Sequence, residues 1–196
     1  MDKNTQHKQT LEDLLHRTSV KMVVAPGPND EELDLIMRAA MTAPDHGALM
    51  PWRFKIIRGE EAVKEFTDKA LHIRHQTEPA IPAEKIEATR QLFSQIPLII
   101  AVACHIDYNN TKIRENERVL ATACAAMQIL NASQALGYGA YWGSGMATYE
   151  DELQEMLGFD PLEYRYIGYI TIGTPRMQIP TKERPDWRQF TENWPR

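Results

Sequence analysis

The sequence predicts a domain of the α+β or mixed α/β class, and three observations carry that reading. The run Pro97-Leu-Ile-Ile-Ala-Val-Ala-Cys104 is continuously apolar and of strand length, so it reads as a central strand buried on both faces. Leu33, Ile36, Met37, Ala40 and Met41 recur at helical spacing and make one apolar stripe facing a core. Along the chain the patterns follow as helix, helix, strand, helices, strand, long helix, strand, helix, strand, an order that suits helices packed on a sheet. A chain of 196 residues, 43% hydrophobic and 25% charged, fits one domain with a sizeable core.

The elements follow in order. Residues 1–8 read as a flexible arm. Leu11, Leu14 and Leu15 have helical spacing, so a first helix is expected over 9–16, leaving through Arg17-Thr-Ser19. Val20 to Val24 is a short extended run closed by Pro26-Gly-Pro28. Asn29 or Asp30 is the N-cap of the next helix, with Glu32 placed for a capping box from Asn29. That helix stops at Ala43-Pro-Asp-His-Gly-Ala-Leu-Met-Pro-Trp52, where Pro44 and Pro51 enforce a stiff, irregular connector. Arg53 to Arg58 reads as a strand. Residues 60–95 form two helices, over 61–75 and 83–94, and read as a helical insert or lid. A strand at 97–104 precedes the longest helix, 115–136, whose centre Ala121-Thr-Ala-Cys-Ala-Ala126 is small or apolar all round and so buried. Tyr138 to Trp142 is a short strand running into the glycine loop Gly143-Ser-Gly145. A helix over 150–157 stops at Gly158, and Tyr164 to Gly173 is a strand of high β-propensity. Residues 177–196 hold Trp187 and Trp194 without periodicity, a tail whose tryptophans need another surface to cover them.

Charge and composition exclude several classes. A net charge of −5 with interspersed signs argues against a nucleic-acid footprint. No apolar run is long enough to span a bilayer, and the polar N-terminus lacks the apolar core of a signal peptide. Cys104 and Cys124 sit among small and apolar residues and read as buried free thiols, which together with the missing leader suggests a cytoplasmic protein.

The residues that could carry chemistry have plain alternatives. Arg17, Thr18 and Ser19 offer a guanidinium fork and two hydroxyls to a phosphate, or simply end a helix with a cation on its dipole. Arg176, after the last strand, is a second phosphate candidate or a solvated cation. The pair gains meaning only if the two arginines converge. His46 is in no metal-ligand spacing and beside no nucleophile. His72 and His75 lie at i, i+3 without a third ligand and read as surface histidines. Ser144 lacks the spacing of a nucleophile elbow. The charges at Glu115 and Glu117 complement the N-terminus of the long helix. No Rossmann or Walker loop follows a strand.

Taken in order, Arg17-Thr-Ser19, Ala43-Pro-Asp-His46 with Pro51-Trp52, Trp142-Gly-Ser-Gly145 and Gly173-Thr-Pro-Arg176 make a pattern. Over about residues 9–176 the chain resembles the nitroreductase family of FMN-dependent oxidoreductases, and within it the short YdjA-like branch. The resemblance implies an α+β fold, a central mostly antiparallel sheet flanked by helices, in an intertwined homodimer with two FMN molecules at the subunit interface. It implies that the C-terminal arm, 177–196, lies over the partner subunit. It implies that Arg17, Thr18 and Ser19 meet the FMN phosphate and ribityl chain, joined by Arg176. Trp142, Gly143 and Ser144 would line the flavin, and Thr42 and His46 would reach it from the other subunit. The reaction implied is ping-pong, with hydride passing from NADH or NADPH through flavin to a nitroaromatic, quinone or other small electrophilic acceptor. The alternative is a flavin-binding or flavin-sequestering dimer with little turnover.

The physics suits the assignment. A phosphate with nearly two negative charges suits converging arginines, and glycines at 143 and 145 let backbone approach a flat ring. A cofactor that carries the redox chemistry needs no side-chain nucleophile, so no catalytic residue and no metal ligand is expected. The chain departs from its relatives at Met50 and Ala48, where many carry Gln and Asn, and at Thr18, where many have a second arginine.

Overall fold

The computed structural model describes residue 8 and residues 11–178, 180 and 182–195. The expected arm 1–8 therefore lies outside the described residues except for Lys8, as do the first two residues of the expected helix 9–16. Residues 11–15 are helical and are labelled α1. The strands are β1 (Val23–Val24), β2 (Trp52–Arg58), β3 (Leu98–His105), β4 (Gly139–Gly143) and β5 (Tyr164–Pro175). The helices after α1 are α2 (Asp30–Ala40), α3 (Glu60–Thr77), α4 (Ala83–Phe93), α5 (Glu115–Ala135) and α6 (Asp151–Met156).

Among the described residues the five strands form one antiparallel sheet in the order β1-β5-β3-β2, with β4 also on β5. β3 lies between β5 and β2, which is why its sequence is apolar on both faces. The pleat sends Ile99, Ala101 and Ala103 into one core with Val63, Phe66 and Leu71 of α3 and Leu153 of α6. It sends Leu98, Ile100 and Val102 into a second core with Ile36 of α2 and Ala125 and Ile129 of α5. Within 60–95, α3 and α4 are separated by a loop at 78–82, and α3 packs its apolar face directly on the sheet.

Local chemistry accounts for the boundaries. Asn29 caps α2 in a full capping box: its side chain accepts from the Glu32 N–H, and Glu32 accepts from the Asn29 N–H, each at 2.9 Å. α6 ends at Gly158, whose φ of +72° is cheap only for glycine. Opposite Val102 and Ala103, β5 carries one extra residue at Ile167–Gly168, a β-bulge with Gly168 at φ +115°. The bulge shifts the alternation, so Tyr166 and Tyr169 fall on the same face although three apart.

Not every apolar side chain finds cover. Leu11, Leu14 and Leu15 of α1 are exposed, as are Leu120 of α5 and Trp187, Phe190 and Trp194 of the tail. Among the described residues no helix is long and apolar enough to cross a membrane.

Candidate functional site

The exit from α1 is tied down from two sides. The Thr18 N–H donates to Gln134 Oε1 of α5 at 3.2 Å, and Gln134 Nε2 donates to the Asp13 carbonyl at 2.7 Å. The Val20 N–H then donates to the Ala140 carbonyl of β4 at 2.9 Å. Gly139 permits this approach, since a Cβ there would meet Val20 at 2.8 Å. β1 pairs with the end of β5, and the Arg176 N–H donates to the Met22 carbonyl at 3.0 Å. Arg17–Ser19 and Arg176 are thus carried to one end of the sheet by neighbouring backbone segments. Arg17 and Thr18 are half-buried and Ser19 is exposed. Thr18 Oγ1 is buried without a hydrogen-bond partner, an orphaned donor and acceptor between Arg17 and Ser19. The Arg17 carbonyl accepts from Arg184 of the tail.

The glycine loop after β4 lies further along β5. Trp142 is half-buried, and its indole N–H donates to the Ile167 carbonyl at 3.0 Å, so that polar group is spent inside the chain. Gly143 does pack on a flat ring, but that ring is Tyr169: a Cβ at 143 would come within 2.7 Å of it. Ser144 is exposed. Met146 and Ala147 follow at φ +58° and +57°.

The third group sits on the connector between α2 and β2. Thr42 Oγ1 donates to the Ala39 carbonyl at 2.8 Å and accepts from Gln128 Nε2 of α5 at 3.0 Å. His46–Ala48 make a 3-10 turn in which Gly47 has φ +77°. Asp45 Oδ2 accepts the Met50 N–H at 2.5 Å, closing the loop on itself. Ala48 and Met50 have φ of +53° and +45°, a costly conformation for residues with a Cβ. Among the described residues the four non-glycine residues with positive φ all lie in these two loops. Strain of that kind persists where surroundings over-determine a functional loop.

α5 serves as a ruler for the three groups. Gln134 meets Thr18, Gln128 meets Thr42, and Glu117 meets His46 at 2.5 Å. At about 1.5 Å of rise per residue, His46 is held about 25 Å along the helix axis from Thr18. Backbone pairing therefore sets Arg17–Ser19 and the exposed Arg176 on neighbouring segments, and α5 keeps His46 apart from them.

Four residues that hold this framework escape a reading by spacing. Glu117, Gln128 and Gln134 pair with residues 71, 86 and 116 positions away. Arg118, almost fully buried, donates to the carbonyls of Asp107, Asn110 and Ile113 and so fixes the loop whose Ile113 lies against Gly47. A charged residue on the otherwise uncharged buried face of α5 was the available signal. Among the described residues no group of His, Cys, Asp and Glu side chains could hold a metal ion.

Comparison with known proteins gives a consistent picture. The nitroreductase family pattern matches residues 14–174. YdjA of Escherichia coli strain K12, provisionally named an NAD(P)H nitroreductase, is 31% identical over 173 residues, 87% of this chain and 91% of YdjA. The crystal structure of a nitroreductase-like family protein from Bacillus cereus matches with a TM-score of 0.79 at 22% identity, over 95% of this chain and 96% of that one. A provisionally named nitroreductase from Desulfovibrio desulfuricans, solved in complex with FMN, matches with a TM-score of 0.73 at 22% identity, over 95% and 98% of the two chains.

Proposed function

The chain belongs to the nitroreductase family, and from that premise we propose that it is an FMN-dependent oxidoreductase acting as a homodimer. Its donor is NADH or NADPH, and its acceptor is a nitroaromatic, quinone or other small electrophile reduced in a second, separate half-reaction. The observation that carries the reading is the backbone pairing that brings the segments bearing Arg17–Ser19 and Arg176 to one end of the sheet, with the Thr18 hydroxyl buried there and unpartnered. A dianionic phosphate with an adjoining polyol chain suits that donor set. Arg17, Thr18, Ser19 and Arg176 would hold the phosphate and ribityl end, and Trp142, Gly143 and Ser144 would line the ring. Bound FMN supplies the electron-carrying chemistry, so the protein's part is to bind, orient and exclude water.

Thr42 and His46 would complete the site from a second copy. The long axial separation of His46 from Thr18 along α5 supports this, and so do the uncovered leucines of α1 and the aromatic tail. The tail, 177–196, would lie over the partner. Two free cysteines support a reducing, cytoplasmic setting.

Anaerobic mixing of the yellow FMN-loaded protein with each nicotinamide tests the proposal. Bleaching by either one, followed by return of colour on adding a quinone, is the expected result. A protein that binds FMN yet stays yellow with both would instead be the flavin-sequestering dimer. A protein that remains colourless, with no thermal shift on adding FMN, would sink both readings. Within the site, Arg17→Ala is expected to weaken FMN binding by about 1.5–3 kcal/mol, the loss of a charge-assisted hydrogen bond. Unchanged affinity, read by flavin fluorescence, would remove Arg17 from the phosphate site.

A further inference from the structure

His46 is two-thirds exposed, on the connector between α2 and β2, yet its ring is not free to turn. Glu117, the third residue of α5, brings Oε2 to 2.5 Å from His46 Nδ1. A carboxylate can only accept, so Nδ1 carries the proton. The other ring nitrogen, Nε2, is then the atom left for a ligand. The loop beneath is fixed from the same end of the helix. Arg118 holds the carbonyls of Asp107, Asn110 and Ile113, and Ile113 leaves no room for a side chain at Gly47, where a Cβ would come within 2.4 Å of it. Helix complementation alone does not account for Glu117, because its carboxylate is aimed across the fold at a residue 71 positions away.

We infer that Glu117 is a positioning residue, which fixes the tautomer and orientation of His46 so that Nε2 is presented as a set hydrogen-bonding atom to the flavin of the partner subunit. This rests on the proposed placement of His46 at the FMN site. The arrangement is that of an imidazole oriented by a carboxylate on its far nitrogen, the device that elsewhere fixes histidine ligands.

The test uses the full chain and four variants: His46→Ala, Glu117→Ala, Glu117→Gln and the double variant His46→Ala with Glu117→Ala. Titration with FMN is expected to give about tenfold weaker binding for His46→Ala and for Glu117→Ala. The double variant should bind no more weakly than His46→Ala alone, because both changes remove one unit. Glu117→Gln should recover most of the affinity, since its amide oxygen still accepts from Nδ1–H. Long-range 15N NMR of the FMN-free protein should report Nδ1–H in the parent and Nε2–H in Glu117→Ala. Melting temperatures should stay within about 2 °C of the parent, as both side chains are at the surface. Parent-like FMN affinity in His46→Ala would overturn the placement of His46, and this inference with it. Weakened binding in His46→Ala with parent affinity in Glu117→Ala, or an unchanged His46 tautomer, would overturn the role of Glu117 alone.

Discussion

Tyr166 buries its phenolic oxygen in the α3 face of the sheet with no hydrogen-bond partner. Burial pushes its ionisation well above the ordinary tyrosine value, and Tyr169 adds to the shift. Below about pH 10 both folded and unfolded states keep the proton, so stability is flat. Above it the unfolded chain releases the proton and the folded chain does not, so stability falls as pH rises. Tyr166→Phe removes both the orphaned hydroxyl and the titration. The variant should melt at or above the parent temperature at pH 7, by an equivalent of about 1 kcal/mol, and lose less stability on going to about pH 10.5. A Phe variant that melts lower at both would mean the hydroxyl has a partner. At this scale the sequence was partly legible. Arg17, Ser19 and Arg176 stand out because cations and hydroxyls after a helix and a strand are suited to phosphate, and backbone pairing brings those segments to one end. The Glu117–His46 pair and the carbonyl grip of Arg118 were not, because they depend on which helix turn faces which loop. Glu117 instead satisfied a local rule, an acid in the first turn of a helix, and that rule concealed its partner.

The elements were read most easily where one local force decides them. β3 declares itself because a strand covered on both faces has no reason to alternate. The capping box at Asn29 and Glu32 forms as its spacing requires. Asn29→Ala should cost about 1 kcal/mol of stability in denaturant unfolding, and a loss near zero would mean that α2 is held by its core face alone. Glu32 has a second consequence. The Asn29 backbone N–H, helped by the Tyr138 hydroxyl at 2.8 Å, holds its carboxyl below the usual range. That contribution is present above about pH 4.5 and is lost as pH falls through the depressed value. Glu32→Gln keeps the cap but cannot ionise, so its stability should fall less steeply below pH 4.5 than the parent's. What resisted reading were the elements set by contacts: the bulge at Ile167–Gly168, which puts two tyrosines on one face, and the left-handed residues Ala48, Met50, Met146 and Ala147. None of those four is a residue that favours positive φ, so nothing local announces them.

At the scale of the whole molecule the apolar surface is unbalanced. Leu11, Leu14 and Leu15 share a helix and are each about half exposed or more, and Trp187, Phe190 and Trp194 are 63%, 72% and 94% exposed. Covering an aromatic or leucine side chain is worth about 1.5–3 kcal/mol, so this surface is a strong drive to associate. The proposed dimer requires the His46 loop of one chain to meet the Arg17 end of the other, since α5 keeps the two apart within a single chain. Light scattering should therefore give a mass of about 45 kDa, twice the 22.5 kDa of one chain, at micromolar concentration. Combining Trp187→Ser, Phe190→Ser and Trp194→Ser should shift that mass toward a single chain and weaken FMN binding in parallel. The parallel loss is the informative part. A triple variant of single-chain mass that binds FMN as tightly as the parent, or a parent that binds FMN at single-chain mass, would mean the site is complete within one copy, and that Thr42 and His46 serve only the loop they stand on.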